Sequence, residues 1–282
     1  RFGVRLHYVE EPTILGTSGA LDNARALLDG DTFIVINGKL ATDIDLAKAL
    51  ETHRRTEALV TLVLRRNHAR EKYSTVETRD GLVLKFGPAP PPSASDNVRG
   101  DGLPYSLNDR RNDHNDNASN DEHVPLMFTG IQIVEPRIFS YIPRGIFSHT
   151  TTDVYPQAIA RGERIAAHVA EGAWYELSTV KRYLDTSLAL MKREGRDVEP
   201  GAGSLIEAGA DVRDSVLWER VKIEAGARVH RAILGAGVVI PSGETIEDAA
   251  VVRAELVRDG ERPSKGLTGE VRGANFVAPL PR

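Results

Sequence analysis

Cysteine is absent from this chain of 282 residues. Disulfides, zinc–thiolate sites and thiol nucleophiles are therefore excluded. Long apolar runs are also missing: none approaches the roughly 20 residues that cross a bilayer, and no leader-like segment opens the sequence. Nor does charge of either sign dominate. Lysine and arginine number 36 against 40 acidic residues, a net charge of −4. No sequence-wide electrostatic pull toward nucleic acid or an anionic membrane follows from that balance. What is present is 41 % apolar and 27 % charged residues, the composition of a folded soluble protein, and a reducing cytoplasm is the expected compartment. The first residue is arginine rather than methionine, so a longer or processed natural product is expected.

Residues 4–9, VRLHYV, alternate in the manner of a strand. LGTSG, 15–19, reads as a loop, after which Ala20, Leu21, Ala24, Leu27 and Leu28 recur at helical spacing and predict one helix to about Asp29. The apolar run FIVIN, 33–37, predicts a strand covered on both faces. Asp43 is placed to cap a helix carrying Ile44, Ala47 and Leu50, and ALVTLVL, 58–64, reads as a second buried strand. This alternation predicts a mostly parallel α/β sheet, in which ligands gather beyond the carboxyl ends of the strands. Asn37-Gly38-Lys39 stands at such an end.

Residues 76–78 and 82–86 predict a hairpin about Arg79-Asp80-Gly81. From 88 to 123, proline, asparagine, aspartate and serine dominate, and the stretch reads as a disordered insertion. Its His114 and His123 read as solvated rather than metal-binding. MFTGIQIV, 127–134, predicts a strand; a helix near 152–160, a strand at 165–169 and a helix at 179–192 follow. Val180, Leu184, Leu188 and Met191 form one face of that last helix.

The C-terminal part repeats itself. IEAGADV begins at Ile206, returns as IEAGARV at Ile223 and again as IPSGETI at Ile240, each 17 residues after the last. Gly209, Gly226 and Gly243 keep the step, as do Leu217, Leu234 and Val251. Aliphatics six apart suit one face of a parallel β-helix, about three such steps making a coil. The expected division is an α/β domain over 1–195, coils over 196–254 and a tail over 255–282.

An α/β domain followed by hexapeptide-type coils resembles the sugar-nucleotide pyrophosphorylases, in particular the mannose-1-phosphate guanylyltransferase-like branch. LGTSGAL, 15–21, resembles that family's LGTAGAL loop against the nucleotide base, which implies nucleotide contacts at Leu15, Gly16, Thr17 and Gly19. VINGKL resembles VLNGDL, whose aspartate binds magnesium; it implies phosphate or sugar contacts at Asn37 and Gly38. FTGIQI resembles the sugar-holding strand, with Gly130 under the ring. WYELST, 174–179, resembles WxDIGT, whose aspartate is the second metal ligand, here Glu176. The resemblance implies a Rossmann-like nucleotidyltransferase sheet, a left-handed β-helix, magnesium as cofactor, and a nucleoside triphosphate and hexose-1-phosphate as partners. Homo-oligomers through the coils are expected, and neither nucleic acid nor membrane.

Departures are equally specific. The GGxGTRL phosphate loop is absent and would lie before Arg1, so the chain alone is expected to be inactive. Lys39 occupies the metal aspartate's place: an ammonium cannot ligate magnesium but can oppose phosphate charge, so Lys39 and Glu176 are the candidate catalytic pair. Asp43 and Asp45 are the nearest carboxylates, both expected to serve the following helix. The family's Glu-Lys-Pro clamp is not recognisable near Lys85. Plainer readings stand beside these. Asn37-Gly38 could be only a turn, Thr17 only a helix cap, Gly130 only a packing glycine and Glu176 only a surface residue. His230, beside Arg228 and Arg231, reads as an exposed histidine rather than an acyltransferase base. A sensing subunit that kept the fold and lost the metal is the rival to an enzyme.

Overall fold

The computed structural model of the protein describes residues 3–90, 124–257 and 266–281. Most of the expected insertion, 91–123, with its two histidines, lies outside them. The chain divides into two compact units, one ending at Trp174 and the other beginning at Tyr175.

The first unit opens without a strand. Residues 4–9 carry no strand pairing, and Val4, Leu6 and Tyr8 face solvent; alternation makes a strand only where a sheet edge receives it. The single helix expected over 20–29 is two, α1 (Gly16–Asn23) and α2 (Arg25–Leu28), interrupted at Ala24. Strand β1 (Phe33–Ile36) leads through a turn to β2 (Leu40–Thr42) and helix α3 (Leu46–Thr56). Asp45, not Asp43, caps α3, its carboxylate accepting from the amides of Ala47 at 3.0 Å and Lys48 at 3.3 Å. Strands β3 (Val60–Arg66), β4 (Thr75–Arg79), β5 (Leu82–Gly87) and β6 (Leu126–Val134) come next. Helix α4 (Tyr155–Ala160) and strand β7 (Ile165–Val169) follow, and β8 (Trp174–Glu176) carries the chain into the next unit.

The six-stranded sheet runs in the order β1-β6-β3-β7-β5-β4. The strand–helix rhythm predicts neighbouring parallel strands, and β3 and β7 are such a pair. Between β1 and β3, however, lies β6, antiparallel to both, so those two strands share a direction without touching. A later segment entering between them is a long-range event that local periodicity cannot register. For the same reason β1 is an edge strand: Phe33 and Val35 pack on the core, while Ile34 and Ile36 stay 42 % and 47 % exposed, contrary to a strand covered twice. On β3 both faces are covered, Leu62 and Leu64 packing with Ile138 and Tyr155, and Val63 with Ile131 and Trp174. The expected hairpin is β4–β5, turning through left-handed Asp80 and Gly81.

The second unit begins with helix α5 (Val180–Arg193), capped by the Thr179 hydroxyl accepting from the Arg182 amide at 3.1 Å. Leu184 and Met191 are buried against Val216 and Ile233, and Leu188 packs beside them, but Val180 lies exposed. Strand β9 (Val198–Pro200) starts the winding, and β10 (Leu205–Ile206), β11 (Asp211–Arg213) and β12 (Ser215–Leu217) follow, β12 returning in parallel beside β9 one step on. Strands β13 (Lys222–Ile223), β14 (Arg228–Leu234), β15 (Val239–Ile240) and β16 (Thr245–Arg253) continue the winding. Pairing is parallel and in the step read from sequence: Ile206 with Ile223 and then Ile240, Val216 with Ile233, Leu217 with Leu234 and then Val251. Gly209, Gly226 and Gly243 recur because each turns a corner at positive φ. The stretch read as a tail contributes β17 (Glu270–Arg272) and β18 (Asn275–Pro279), the latter antiparallel to β16 and burying Val277 in the coil core.

Candidate functional site

Within the first unit, the LGTSG loop is fastened to residues 146–150. The amides of Ser18 and Gly19 donate to the Ser148 carbonyl at 3.1 and 3.4 Å, and the Ser148 amide returns a bond to the Leu15 carbonyl at 2.9 Å. Beneath them the Ser18 and Ser148 hydroxyls meet at 2.7 Å, buried. The Thr17 amide donates to Nδ1 of His149 at 3.3 Å, and the Thr150 amide donates to the Thr17 hydroxyl at 3.0 Å. The first N–H groups of α1, which could otherwise attract an anion, are thus engaged. Thr17 does not cap α1, whose N-cap position is Leu15; its hydroxyl goes to Thr150. Two glycines make this closeness possible. A Cβ on Gly16, where φ is +77°, would run into the Ser148 carbonyl, and one on Gly19 would stand 2.7 Å from Cβ of Leu15.

A second close approach lies at the end of β1. Val63 of β3 pairs with Ile131 of β6, yet the next residue, Leu64, pairs with Phe128, so Thr129 and Gly130 bulge from the ladder. Bulges re-aim the chain beside functional sites. Here the Thr129 hydroxyl donates to the Val63 carbonyl at 2.7 Å, and the indole of Trp174 donates to the Thr129 carbonyl at 2.9 Å. Gly130 takes φ +81°, its carbonyl accepts from the Asn37 amide at 3.0 Å, and a Cβ there would strike the Asn37 side chain. Asn37, Gly38 and Lys39 are all exposed. The structure therefore joins Asn37 to Gly130, and separately joins Gly16, Thr17 and Gly19 to a segment, 146–150, that sequence reading had assigned to no element. The polar run SHTTTD, 148–153, was the available signal.

The residues present do not fit a resident magnesium ion. Asp43 accepts from the Ala173 amide at 2.6 Å and Asp45 caps α3, while Lys39 offers no lone pair in its charged form. Glu176, in the second unit, accepts from the Ser178 hydroxyl at 3.0 Å and pairs with Arg182 at 3.5 Å. Among the described residues no three His, Asp or Glu side chains gather as a metal site. In the coils His230 is not the exposed side chain expected from sequence: it is half-buried, with Nε2 3.0 Å from the Asp211 carboxylate.

A cleft of about 680 Å³ lies at the other end of β1, lined by Thr32, His53, Arg54 and Glu135 among others, and none of the candidate residues reaches it. There His53 bridges the buried Thr61 hydroxyl at 2.8 Å and Glu135 at 2.9 Å, and Thr32 donates to the same carboxylate at 2.7 Å. Burial by itself would raise the Glu135 carboxyl. The hydrogen bonds from His53 and Thr32, with the charges of His53 and Arg137, outweigh it and hold the group below the ordinary value of 4.5. A depressed folded value stabilises above the unfolded value and is lost as pH falls through the folded one. Glu135→Gln is therefore expected to flatten the fall of Tm below about pH 4.5. Thermal melts across pH 3 to 6 (about one unit either side of that region) check it, and superimposable profiles for parent and variant would sink it.

The family described as nucleotidyl transferase matches residues 1–193. The chain belongs to that family. A second family, GlmU-like C-terminal hexapeptide, matches residues 201–255, in agreement with the coils. Among curated relatives of this chain, a UTP–glucose-1-phosphate uridylyltransferase from Synechocystis is 25 % identical over 79 % of the chain and 54 % of its own length. A mannose-1-phosphate guanylyltransferase from Mycobacterium tuberculosis is 24 % identical over 74 % of the chain and 57 % of its own length. A D-glycero-α-D-manno-heptose 1-phosphate guanylyltransferase from Aneurinibacillus thermoaerophilus is 36 % identical over 30 % of the chain and 36 % of its own length. The chain thus spans about half the length of the first two relatives.

Proposed function

We propose that the protein serves the formation of a nucleotide sugar from a hexose-1-phosphate and a nucleoside triphosphate, with mannose-1-phosphate and GTP as the favoured pair. In that reaction an oxygen of the sugar phosphate attacks the α-phosphate in line and pyrophosphate leaves. The observation that carries the reading is the bulge that brings Gly130 against Asn37 at the end of β1, since it sets the two residues that the resemblance assigns to sugar and phosphate side by side at a strand end, where ligands gather in α/β sheets. On the nucleotide side the amides of the LGTSG loop are engaged, so a base would meet the Leu15 side chain and the Thr17 hydroxyl, with Gly16 and Gly19 shaping the surface. Lys39, exposed beside Asn37 and Gly38, would oppose phosphate charge. Glu176 is the carboxylate that the resemblance puts forward. Magnesium arriving with the triphosphate would supply charge neutralisation. Homo-oligomers through the coils and a cytoplasmic setting belong to the same proposal.

The rival reading, a sensor that binds nucleotide or nucleotide sugar without turnover, is favoured by Lys39 and by the commitment of Asp43 and Asp45 elsewhere. Both are tested by calorimetric titration of the chain with GTP, mannose-1-phosphate and GDP-mannose, alongside a pyrophosphate-release assay with magnesium. The expected result is saturable binding without release, because Lys39 stands where the resemblance puts a metal-binding aspartate. Release of pyrophosphate would overturn the inactivity of the isolated chain. Absence of binding to every one of the three ligands would remove both readings.

A further inference from the structure

The candidate nucleotide loop and the candidate sugar strand are joined through the core by hydrogen bonds. The Thr17 hydroxyl lies 3.2 Å from that of Thr150 and accepts from the Thr150 amide at 3.0 Å. Thr150, itself buried, opens a single π-helical turn (Thr150–Val154), and its carbonyl accepts from the Tyr155 amide. Tyr155 is wholly buried and donates to the Gln132 side-chain carbonyl. Gln132, also buried, sits on β6 two residues beyond Gly130, between β1 and β3.

A phenylalanine in place of Tyr155 would fill the same core space without burying a hydroxyl, and an aliphatic residue in place of Gln132 would spare a buried amide. Buried polar chains of this kind, when every member is satisfied, rigidify and specify one arrangement, and single π-turns occur often at functional sites. Resting on the proposed substrates, we propose that Thr150, Tyr155 and Gln132 form a positioning relay that holds the Thr17 loop and the Gly130 bulge in one register. Tyr155 is its central positioning residue, touching neither substrate. Nucleotide and sugar phosphate then depend on the same buried hydroxyl although their contacts lie on different segments.

The test is Tyr155→Phe, read first by amide hydrogen exchange on the ligand-free chain. The relay predicts faster exchange, by about tenfold, at Thr17 to Gly19 and at Gly130 to Gln132 together. Tyr141→Phe, which loses a hydroxyl bonded to Glu163 at 2.9 Å, is expected to leave those amides unchanged. Exchange that rises only within α4 would overturn the relay. Should Tyr155→Phe fail to fold, Thr17→Val cuts the outer link at an exposed residue and is expected to raise exchange at Gly130 to Gln132; no change there overturns the relay equally. Titration then separates the two ideas. Tyr155→Phe is expected to weaken GTP and mannose-1-phosphate alike by about tenfold, and an effect on one ligand alone contradicts the relay. If the parent binds neither ligand, the proposed function falls while the exchange result still decides the relay.

Discussion

Gly16→Ala is expected to destabilise the first unit by about 2–5 kcal/mol and to detach the LGTSG loop from residues 146–150. Two costs combine. Alanine at φ +77° carries left-handed strain of about 1–2 kcal/mol, and its Cβ would run into the Ser148 carbonyl. That obstacle is backbone, not the end of a flexible side chain, so relief requires the segment to move, and overpacking of this kind costs about 1–3 kcal/mol. Moving the segment breaks the bonds from Ser18 and Gly19 to Ser148 and from Thr17 to His149. Gly130→Ala differs instructively: its collision is with the Asn37 side chain, which can swing away, so the site suffers more than the fold. Urea unfolding followed by the buried indole of Trp174 reports the first unit. Gly30→Ala, whose Cβ meets nothing within 4 Å, is the control and should stay within about 0.5 kcal/mol. Equal midpoints for the two variants would refute the account.

Leu234→Ala should cost the second unit about 2–5 kcal/mol, the range for emptying a fully buried leucine site. Leu234 is completely inaccessible and lies in register between Leu217 and Val251 on neighbouring coils. A solenoid is stabilised mainly by contacts between adjacent repeats, and this residue contributes to two such interfaces at once. Leu205→Ala provides the contrast. It stands on β10 at the edge of a three-stranded face, 53 % exposed, and should change stability by no more than about 0.5 kcal/mol. Circular dichroism of the coils through a urea titration reads the difference. The prediction fails if the middle-coil and end-coil leucines prove equally dispensable.

The elements most legible in sequence were those whose signal is local or repeated. Thr179 precedes α5 as a cap should, the Arg79-Asp80-Gly81 turn joins β4 to β5, and the 17-residue step reappears as pairing register because each coil repeats one geometry. The motifs LGTSGAL and FTGIQI led to segments that the structure also makes special, through Gly16 and Gly130. The other participants were illegible for a common reason. Ser148, His149 and Thr150 are more than a hundred residues from the loop they hold, and nothing in SHTTTD says which backbone it will meet. Asp43 and Asp45 are interchangeable as capping signals; only the position of the Ala173 amide separates them.

By itself, then, the sequence determined the absence of thiol chemistry, the coil period and the glycines that permit close approach. Each of these depends on residue type or on spacing along the chain. Tertiary structure alone decided that β6 enters between β1 and β3, that β1 is left as an edge, that residues 4–9 find no strand to pair with, and that the buried path from Thr17 to Gln132 exists. Those features depend on which distant segments meet, and a hydrogen bond between them carries no mark in the local pattern of either one.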